Sequence, residues 1–279
     1  MRFALALCLI LSAGGCGPRA PDQVMVGSFD YSTVNWEQCD SAHSDLTISN
    51  QEQLSWGLKY SVRTPSNFQR ALKHPLIVVW APAGHHRFAS EALTGLTRAA
   101  TGKGFVIAYA DSVRLSLKQI ARLADLPKAI GRKWCVDRER VFFTGHSDGG
   151  TLSNALAFLP DHASPLAIAP SAAGIREEDM TARECPGDLS VLTLQMSNDE
   201  LFPGYGAEMA AWWARCGACD ETPREIGLGC SSFENCLKGT AHTLCTSDGG
   251  HRQWSSRNDV ILSFFEQAMA RRHGLHFAD

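Results

Sequence analysis

The feature that most constrains the fold is an apolar run at residues 141–143 that leads into a Gly-x-Ser-x-Gly motif at residues 145–149. Between an apolar strand and a helical pattern, this motif is typical of a sharp strand-to-helix turn that exposes the serine hydroxyl. Its glycines supply backbone conformations that a Cβ would penalise. The sequence therefore predicts a strand that leads into a turn at Ser147, a helix that leaves this turn, and a serine placed as a nucleophile.

Apolar runs alternate with helical patterns along the rest of the chain. The runs at residues 75–80 and 105–109 are continuous, which is typical of strands buried on both faces of a parallel sheet. Further strands are predicted at residues 58–63, 140–143, 166–169 and 191–195, and helices at residues 88–103, 115–126, 151–158, 205–215 and 259–272. This alternation predicts an α/β fold with a doubly wound, mostly parallel sheet and helices on both faces.

Three polar residues lie just beyond predicted strands or close to the last helix. Ser147 follows the run at residues 141–143, Asp199 follows residues 191–195, and His251 comes shortly before the last helix. In open parallel sheets, ligands bind at the carboxyl ends of the strands, so these positions are where chemistry is expected. The chain order Ser, Asp, His is that of the α/β-hydrolases and differs from the orders in chymotrypsin and subtilisin.

These residue types predict nucleophilic catalysis. A serine hydroxyl needs a neighbouring base to take its proton, a role that His251 would fill while Asp199 orients the imidazole. The chemistry also needs backbone N–H groups that stabilise a developing oxyanion. One predicted donor is Asp148, and the other is Ala83 or Gly84, because the proline before them has no N–H.

Other residues compete for these roles. His242 is a rival base, but it precedes a strand-like segment, which favours His251. His146 adjoins the serine, and since neighbours at a tight turn point apart, we expect it to be a packing or pocket-wall residue and not the base. Asp199 is favoured as the acid because it lies at a strand end. Its rivals are Glu200, Asp220 and Asp248.

The N-terminus has the pattern of an export signal. Met1 and Arg2 precede an apolar core at residues 3–11 and small residues that lead to Cys16. The small residues before Cys16 resemble a lipobox, which predicts lipidation of that cysteine; an ordinary secretory signal is the alternative. The predicted divisions are a lipoprotein-type signal peptide at residues 1–15, a tether and N-terminal extension at residues 16–53, and a catalytic domain at residues 54–279.

Cysteine content agrees with export. Eight cysteines remain after Cys8 and Cys16 are set aside, an even number that predicts disulfides in an oxidising compartment. They are Cys39, Cys135, Cys185, Cys216, Cys219, Cys230, Cys236 and Cys245. About 105 pairings are possible, so the connectivity stays open. A structural zinc site that uses the Cys216-x-x-Cys219 spacing is the alternative, but disulfides are preferred and no metal is predicted.

Charge limits the possible partners. The formal net charge of −3 and the scattered distribution of lysine and arginine give no basic surface for nucleic acid. Contact with a membrane is expected only through a lipid anchor at Cys16.

Several segments resemble the secreted polyhydroxybutyrate depolymerase, feruloyl esterase and acetylxylan esterase family. The resemblance spans roughly residues 59–265 and is most specific at residues 134–147, which are similar to the family's Asp-x-x-Arg-Val stretch and serine turn. Residues 249–251 match the segment with the family's catalytic histidine, and residues 196–199 stand where the family has its acid. Residues 104–109 and 244–246 are also similar. The resemblance implies an α/β-hydrolase fold and a Ser147, His251, Asp199 triad.

The sequence as a whole predicts an exported, monomeric, cofactor-free serine hydrolase of carboxylic esters that works through an acyl-serine. The expected substrates are hydroxyalkanoate oligomers and acyl or feruloyl esters of polysaccharides. The alternative is a non-catalytic binding lipoprotein that keeps the hydrolase scaffold, because a fold alone does not determine function.

Overall fold

The computed structural model describes residues 24–33, 36–39, 44–159, 164–180 and 184–272. The predicted signal peptide and the predicted lipidation site Cys16 lie outside the described residues. None of the helices in the described ranges has both the length and the apolar character needed to cross a membrane.

Ten strands in the described part of the chain form one sheet in the order β1-β2-β4-β3-β5-β6-β7-β10-β9-β8. Neighbours from β4 through β10 pair in parallel, and the pairs at the two edges are antiparallel. The strands are β1 (Ile48–Gln53), β2 (Lys59–Arg63), β3 (His74–Trp80), β4 (Val106–Ala110), β5 (Val136–His146), β6 (Ala167–Ser171), β7 (Ser190–Asn198), β8 (Arg224–Gly227), β9 (Cys230–Phe233) and β10 (His242–Gly250).

The helices alternate with the central strands. They are α1 (Arg87–Thr94), α2 (Thr97–Gly102), α3 (Leu117–Leu123), α4 (Asp125–Lys133), α5 (Asp148–Leu156), α6 (Glu177–Met180), α7 (Tyr205–Cys216) and α8 (Asn258–Arg272), with 3-10 turns at Tyr31–Thr33 and Leu237–Gly239. The helix predicted at residues 88–103 is two helices, because Gly95 adopts a left-handed conformation with φ 59° and ends α1. The helix predicted at residues 115–126 likewise divides into α3 and the start of α4.

Core packing on both faces of the sheet explains why the central strands are apolar throughout. All seven residues of β3 are buried. Leu76 and Val78 face a cluster with α4, α5 and α7, whereas Ile77 and Val79 face a second cluster with α2 and α8. The predicted mostly parallel sheet with helices on both faces is confirmed.

The sheet begins before residue 54, where the sequence placed the start of the catalytic domain. Strand β1 lies inside the predicted extension at residues 16–53 and pairs antiparallel with β2. Strand β1 forms an edge of the sheet, and most of its residues are polar and at least partly exposed. It therefore lacks the apolar run by which the central strands were predicted. The short strands β8 and β9 at the other edge were also not predicted.

All eight cysteines of the predicted set form disulfides. The pairs are Cys39–Cys135, Cys185–Cys216, Cys219–Cys236 and Cys230–Cys245. The prediction of disulfides is therefore confirmed, and the structure supplies the connectivity that the sequence left open. Cys219 and Cys236 also lie close to His242, but their sulfurs are bonded to each other.

Candidate active site

Ser147 lies on a strained turn between β5 and α5. Its φ of 55° and ψ of −120° belong to a region that residues with a Cβ rarely adopt. Its N–H donates to the Ser171 carbonyl on the neighbouring strand β6 at 2.9 Å. A Cβ on Gly145 would lie 2.5 Å from the Trp80 carbonyl oxygen, and one on Gly150 would lie 2.6 Å from the Ser171 carbonyl oxygen. The motif glycines thus let α5 start between β3 and β6.

Ser147, His251 and Asp199 form a hydrogen-bonded chain at the carboxyl edge of the sheet. His251 Nε2 lies 2.9 Å from Ser147 Oγ, although the two residues are 104 positions apart in the chain. His251 Nδ1 lies 3.0 and 2.9 Å from the two carboxylate oxygens of Asp199. Asp199 and His251 follow β7 and β10, which are adjacent in the sheet. The geometry allows a proton to pass from the hydroxyl to the imidazole.

The surroundings of Asp199 favour its ionised form. Burial raises the pKa of this carboxyl, but the hydrogen bond from His251 and those from the Phe202 and Leu201 N–H groups outweigh it and hold the pKa below its usual value. The two N–H groups donate to Asp199 Oδ1 at 2.9 and 3.0 Å. An ionised Asp199 only accepts hydrogen bonds, so His251 Nδ1 carries the proton and Nε2 is free to accept from Ser147.

The loop after β3 lies beside the start of α5. A Cβ on Gly149 would overlap the Trp80 carbonyl oxygen and approach the Ala81 carbonyl carbon to 3.3 Å. The His85 N–H donates to the Pro82 carbonyl at 3.0 Å, so Ala83 and Gly84 form the middle of an exposed turn.

The N–H group at the start of α5 is one of the predicted oxyanion donors. Asp148 is the first residue of that helix, where an N–H has no intrahelical carbonyl to bond. Burial raises the pKa of the Asp148 carboxyl.

The residues that the sequence offered as alternatives to Asp199 and His251 have other surroundings in the structure. Asp220 accepts from Asn235 Nδ2 at 2.6 Å, and Asp248 contacts Ser197 at 3.4 Å. His242 lies at the start of β10, at the opposite end of the strand from His251. Its burial lowers the pKa to about 4.

Two contacts to His251 were not predicted. Glu200 Oε2 accepts from the His251 backbone N–H at 3.0 Å, and His146 Nε2 contacts the His251 carbonyl oxygen at 2.5 Å. His146 is buried, as expected for a packing or pocket-wall residue, but its bond to His251 was not predicted. Its position directly before the serine is the only sequence signal that could have indicated this contact. Phe202 packs edge-on against the His251 ring at 5.0 Å.

His86, in the loop after β3, has a structural role. Its Nδ1 accepts from the Ala89 N–H at 3.2 Å and caps α1. Its neighbour His85 is exposed.

Comparison with known proteins relates the chain to esterases. No family model matches it. Feruloyl esterase B from Piromyces equi is 25% identical over 226 residues, which are 69% of this chain and 42% of that protein. The chain thus spans less than half the length of this relative.

Solved structures show the fold more directly. An acetyl xylan esterase from Aspergillus awamori matches with a TM-score of 0.59 and 14% identity, covering 75% of this chain and 94% of that one. A truncated carbohydrate esterase from gut microbiota matches at 0.54 and 12%, with 82% and 99% covered. Esterase 2 from Thermogutta terrifontis matches at 0.53 and 15%, with 83% and 95% covered. The chain therefore has the α/β-hydrolase fold, in agreement with the resemblance found in its sequence, and these relatives are esterases.

Proposed function

We propose that this protein is a serine carboxylic ester hydrolase. The observation that carries the proposal is the continuous chain of hydrogen bonds from Ser147 Oγ through the His251 ring to the Asp199 carboxylate. This is the arrangement by which a serine gains a base and the base gains an orienting acid. The esterase relatives support the same reaction class.

The proposed reaction uses these three side chains in turn. Ser147 Oγ attacks the acyl carbon as its proton moves to His251 Nε2, and the carbonyl oxygen becomes an oxyanion. The donors in this proposal are the N–H of Asp148, at the start of α5, and that of Ala83 or Gly84, in the loop after β3. His251 then protonates the departing alcohol, leaving an acyl-serine. Water, deprotonated by His251, releases the acid and restores Ser147.

The substrate class is that of acylated polysaccharides, such as acetyl or feruloyl esters, with hydroxyalkanoate oligomers as a second class. The relatives named as feruloyl and acetyl xylan esterases support the first class. The proposed location is outside the cytoplasm, which the four disulfides support. The proposal also includes a monomeric catalytic domain behind a signal peptide, and lipidation at Cys16.

Fluorophosphonate labelling and an ester panel test the reaction. The panel contains short-chain nitrophenyl esters, feruloyl esters, acetylated xylan and hydroxybutyrate oligomers. Wild type should be labelled and should hydrolyse at least one ester class. Ser147→Ala should do neither, whereas Ser263→Ala, on the exposed side of α8, should behave as wild type. A folded wild-type protein that is neither labelled nor active would favour the binding lipoprotein instead.

Lipidation is tested separately. Cells expressing the full chain are fed an alkyne-tagged fatty acid, and the tag should appear on the wild-type protein and be lost in Cys16→Ser. Equal tagging of both would contradict an anchor at this position.

A further inference from the structure

His251 lies just beyond the last residue of β10 that pairs with β7. The last register pair between β10 and β7 joins Gly250 to Asn198, and the register shifts between Ser247 and Gly250. His251 is nevertheless 5% exposed. Buried backbone N–H and C=O groups need hydrogen-bond partners, and at this position side chains supply them.

Two side chains bind the two backbone polar groups of His251. Glu200 Oε2 accepts from its N–H at 3.0 Å, and His146 Nε2 contacts its carbonyl oxygen. Glu200 directly follows Asp199, and His146 directly precedes Ser147. Ser147 and Asp199 contact the His251 ring, and the residue next to each of them in the chain binds the His251 backbone.

The direction of the His146 bond follows from its surroundings. Burial lowers the pKa of His146, so the ring is neutral and carries one N–H. A carbonyl oxygen only accepts, so the proton is on Nε2 and points at His251. Nδ1 is then an acceptor, and the Ser171 hydroxyl lies 3.1 Å from it. The Ser171 hydroxyl can donate to Nδ1, which is compatible with the tautomer that donates to His251.

We infer that His146 and Glu200 are positioning residues that together fix the His251 backbone where its imidazole reaches both Ser147 and Asp199. Neither side chain lies in the chain of bonds that moves the proton. The ring bonds to Ser147 and Asp199 are 2.9 to 3.0 Å long, so a shift of about 1 Å would weaken both and slow the chemistry. The kinetic part of this inference rests on the proposed function.

Two pairs of substitutions test the inference. In each pair, one variant retains the group that bonds the His251 backbone, and the other variant removes it. His146→Gln can place an amide N–H near the position of Nε2, whereas His146→Asn reaches only the region of Nδ1. Glu200→Gln keeps an acceptor for the His251 N–H, whereas Glu200→Ala removes it. Asp248→Asn is the matched control, since this nearby carboxylate contacts Ser197.

We expect His146→Asn and Glu200→Ala to lower kcat by about 10- to 100-fold with KM changed less than about threefold, since only geometry is lost. The two glutamine variants should recover most of this loss, and the control should match wild type. If His146→Asn does not fold, the Glu200 pair carries the test. Asparagine and alanine variants with wild-type kcat, or equal losses in the glutamine variants, would overturn the inference.

Proton NMR gives a readout that does not need turnover. The His251 Nδ1–H held by Asp199 should give a slowly exchanging signal in wild type and in Ser147→Ala. It should broaden or vanish in His146→Asn and Glu200→Ala and return in the glutamine variants. Absence of ester hydrolysis with this NMR pattern intact would refute the proposed function alone, whereas an unchanged signal in every variant would refute the positioning role alone.

Discussion

Gly149, in the first turn of α5, lies against the backbone of Trp80 at the end of β3, with no room between them for a methyl group. This contact joins the helix that begins after Ser147, the proposed nucleophile, to the loop that is proposed to supply an oxyanion donor. The spacing between the helix and the loop therefore depends on residue 149 being a glycine.

Gly149→Ala should force β3 and α5 apart. We expect the free energy of unfolding to fall by about 1 to 3 kcal/mol, as for other overpacked sites, and ester hydrolysis to fall at least about tenfold. Denaturant unfolding and initial rates on a nitrophenyl ester measure the two effects. Gly102→Ala in α2, where a Cβ would meet only ordinary contact at 3.9 Å, is the control. Wild-type stability and rate in Gly149→Ala would contradict this explanation.

Ser147→Gly should be more stable than Ser147→Ala. Both variants lack the hydroxyl, but only glycine adopts a φ of 55° with a ψ of −120° without a Cβ penalty. The difference in the free energy of unfolding should be about 1 kcal/mol in favour of glycine. Thermal or denaturant unfolding of the two inactive proteins decides it. Equal stabilities would mean that the turn is relaxed in solution.

Asp199→Asn should reduce kcat by about a thousandfold or more with little change in stability. The amide would donate to His251 Nδ1 and favour the tautomer whose Nε2 already carries a proton, so the base could not accept from Ser147. Steady-state kinetics and the rate of fluorophosphonate labelling should fall together. Asp220→Asn, at an exposed carboxylate paired with Asn235, should have wild-type rates. A loss below about tenfold in Asp199→Asn would assign the acid to another residue.

His242 should make stability depend on pH. Burial, assisted by the charge of Arg271, lowers its pKa from 6.5 to about 4. Between these values the unfolded chain binds a proton and the native chain does not, so stability falls as pH drops from 6.5 to 4. The loss is at most about 3 kcal/mol.

His242→Leu tests this dependence. Neither ring nitrogen has a hydrogen-bond partner among the described residues, so the variant removes the titration without breaking such a bond. Denaturant unfolding at several pH values should show a smaller decrease than in wild type, whereas His85→Asn, at an exposed loop position, should retain the full decrease. An unchanged slope in His242→Leu would show that another group is responsible.

The central fold could be predicted because its strands are buried on both faces and therefore continuously apolar, as residues 75–80 show. That Ser147, Asp199 and His251 lie close together could be predicted, because each follows a strand and the carboxyl ends of parallel strands lie at one edge of the sheet. The edge strands could not be predicted, since an exposed strand such as β8 needs no apolar pattern.

Other features depend on contacts between distant parts of the chain. Disulfide connectivity requires the fold, because cysteine spacing alone allows many pairings. The bond from His146 to His251 joins residues 105 positions apart and ends on a backbone atom, which every residue possesses. The residue type at position 251 therefore does not indicate this contact. The sequence likewise indicates Glu200 only as an alternative acid, because its partner in the structure is the His251 backbone N–H and not the ring.

The bridge between Cys39 and Cys135 has a consequence for how the molecule would face its surroundings. It ties the N-terminal segment to the residue before β5, whereas Ser147 follows the other end of that eleven-residue strand. An extended strand of this length spans roughly 30 Å. A support that held the protein by its N-terminal segment would therefore lie at the end of β5 opposite Ser147, and the proposed catalytic edge would face away from it.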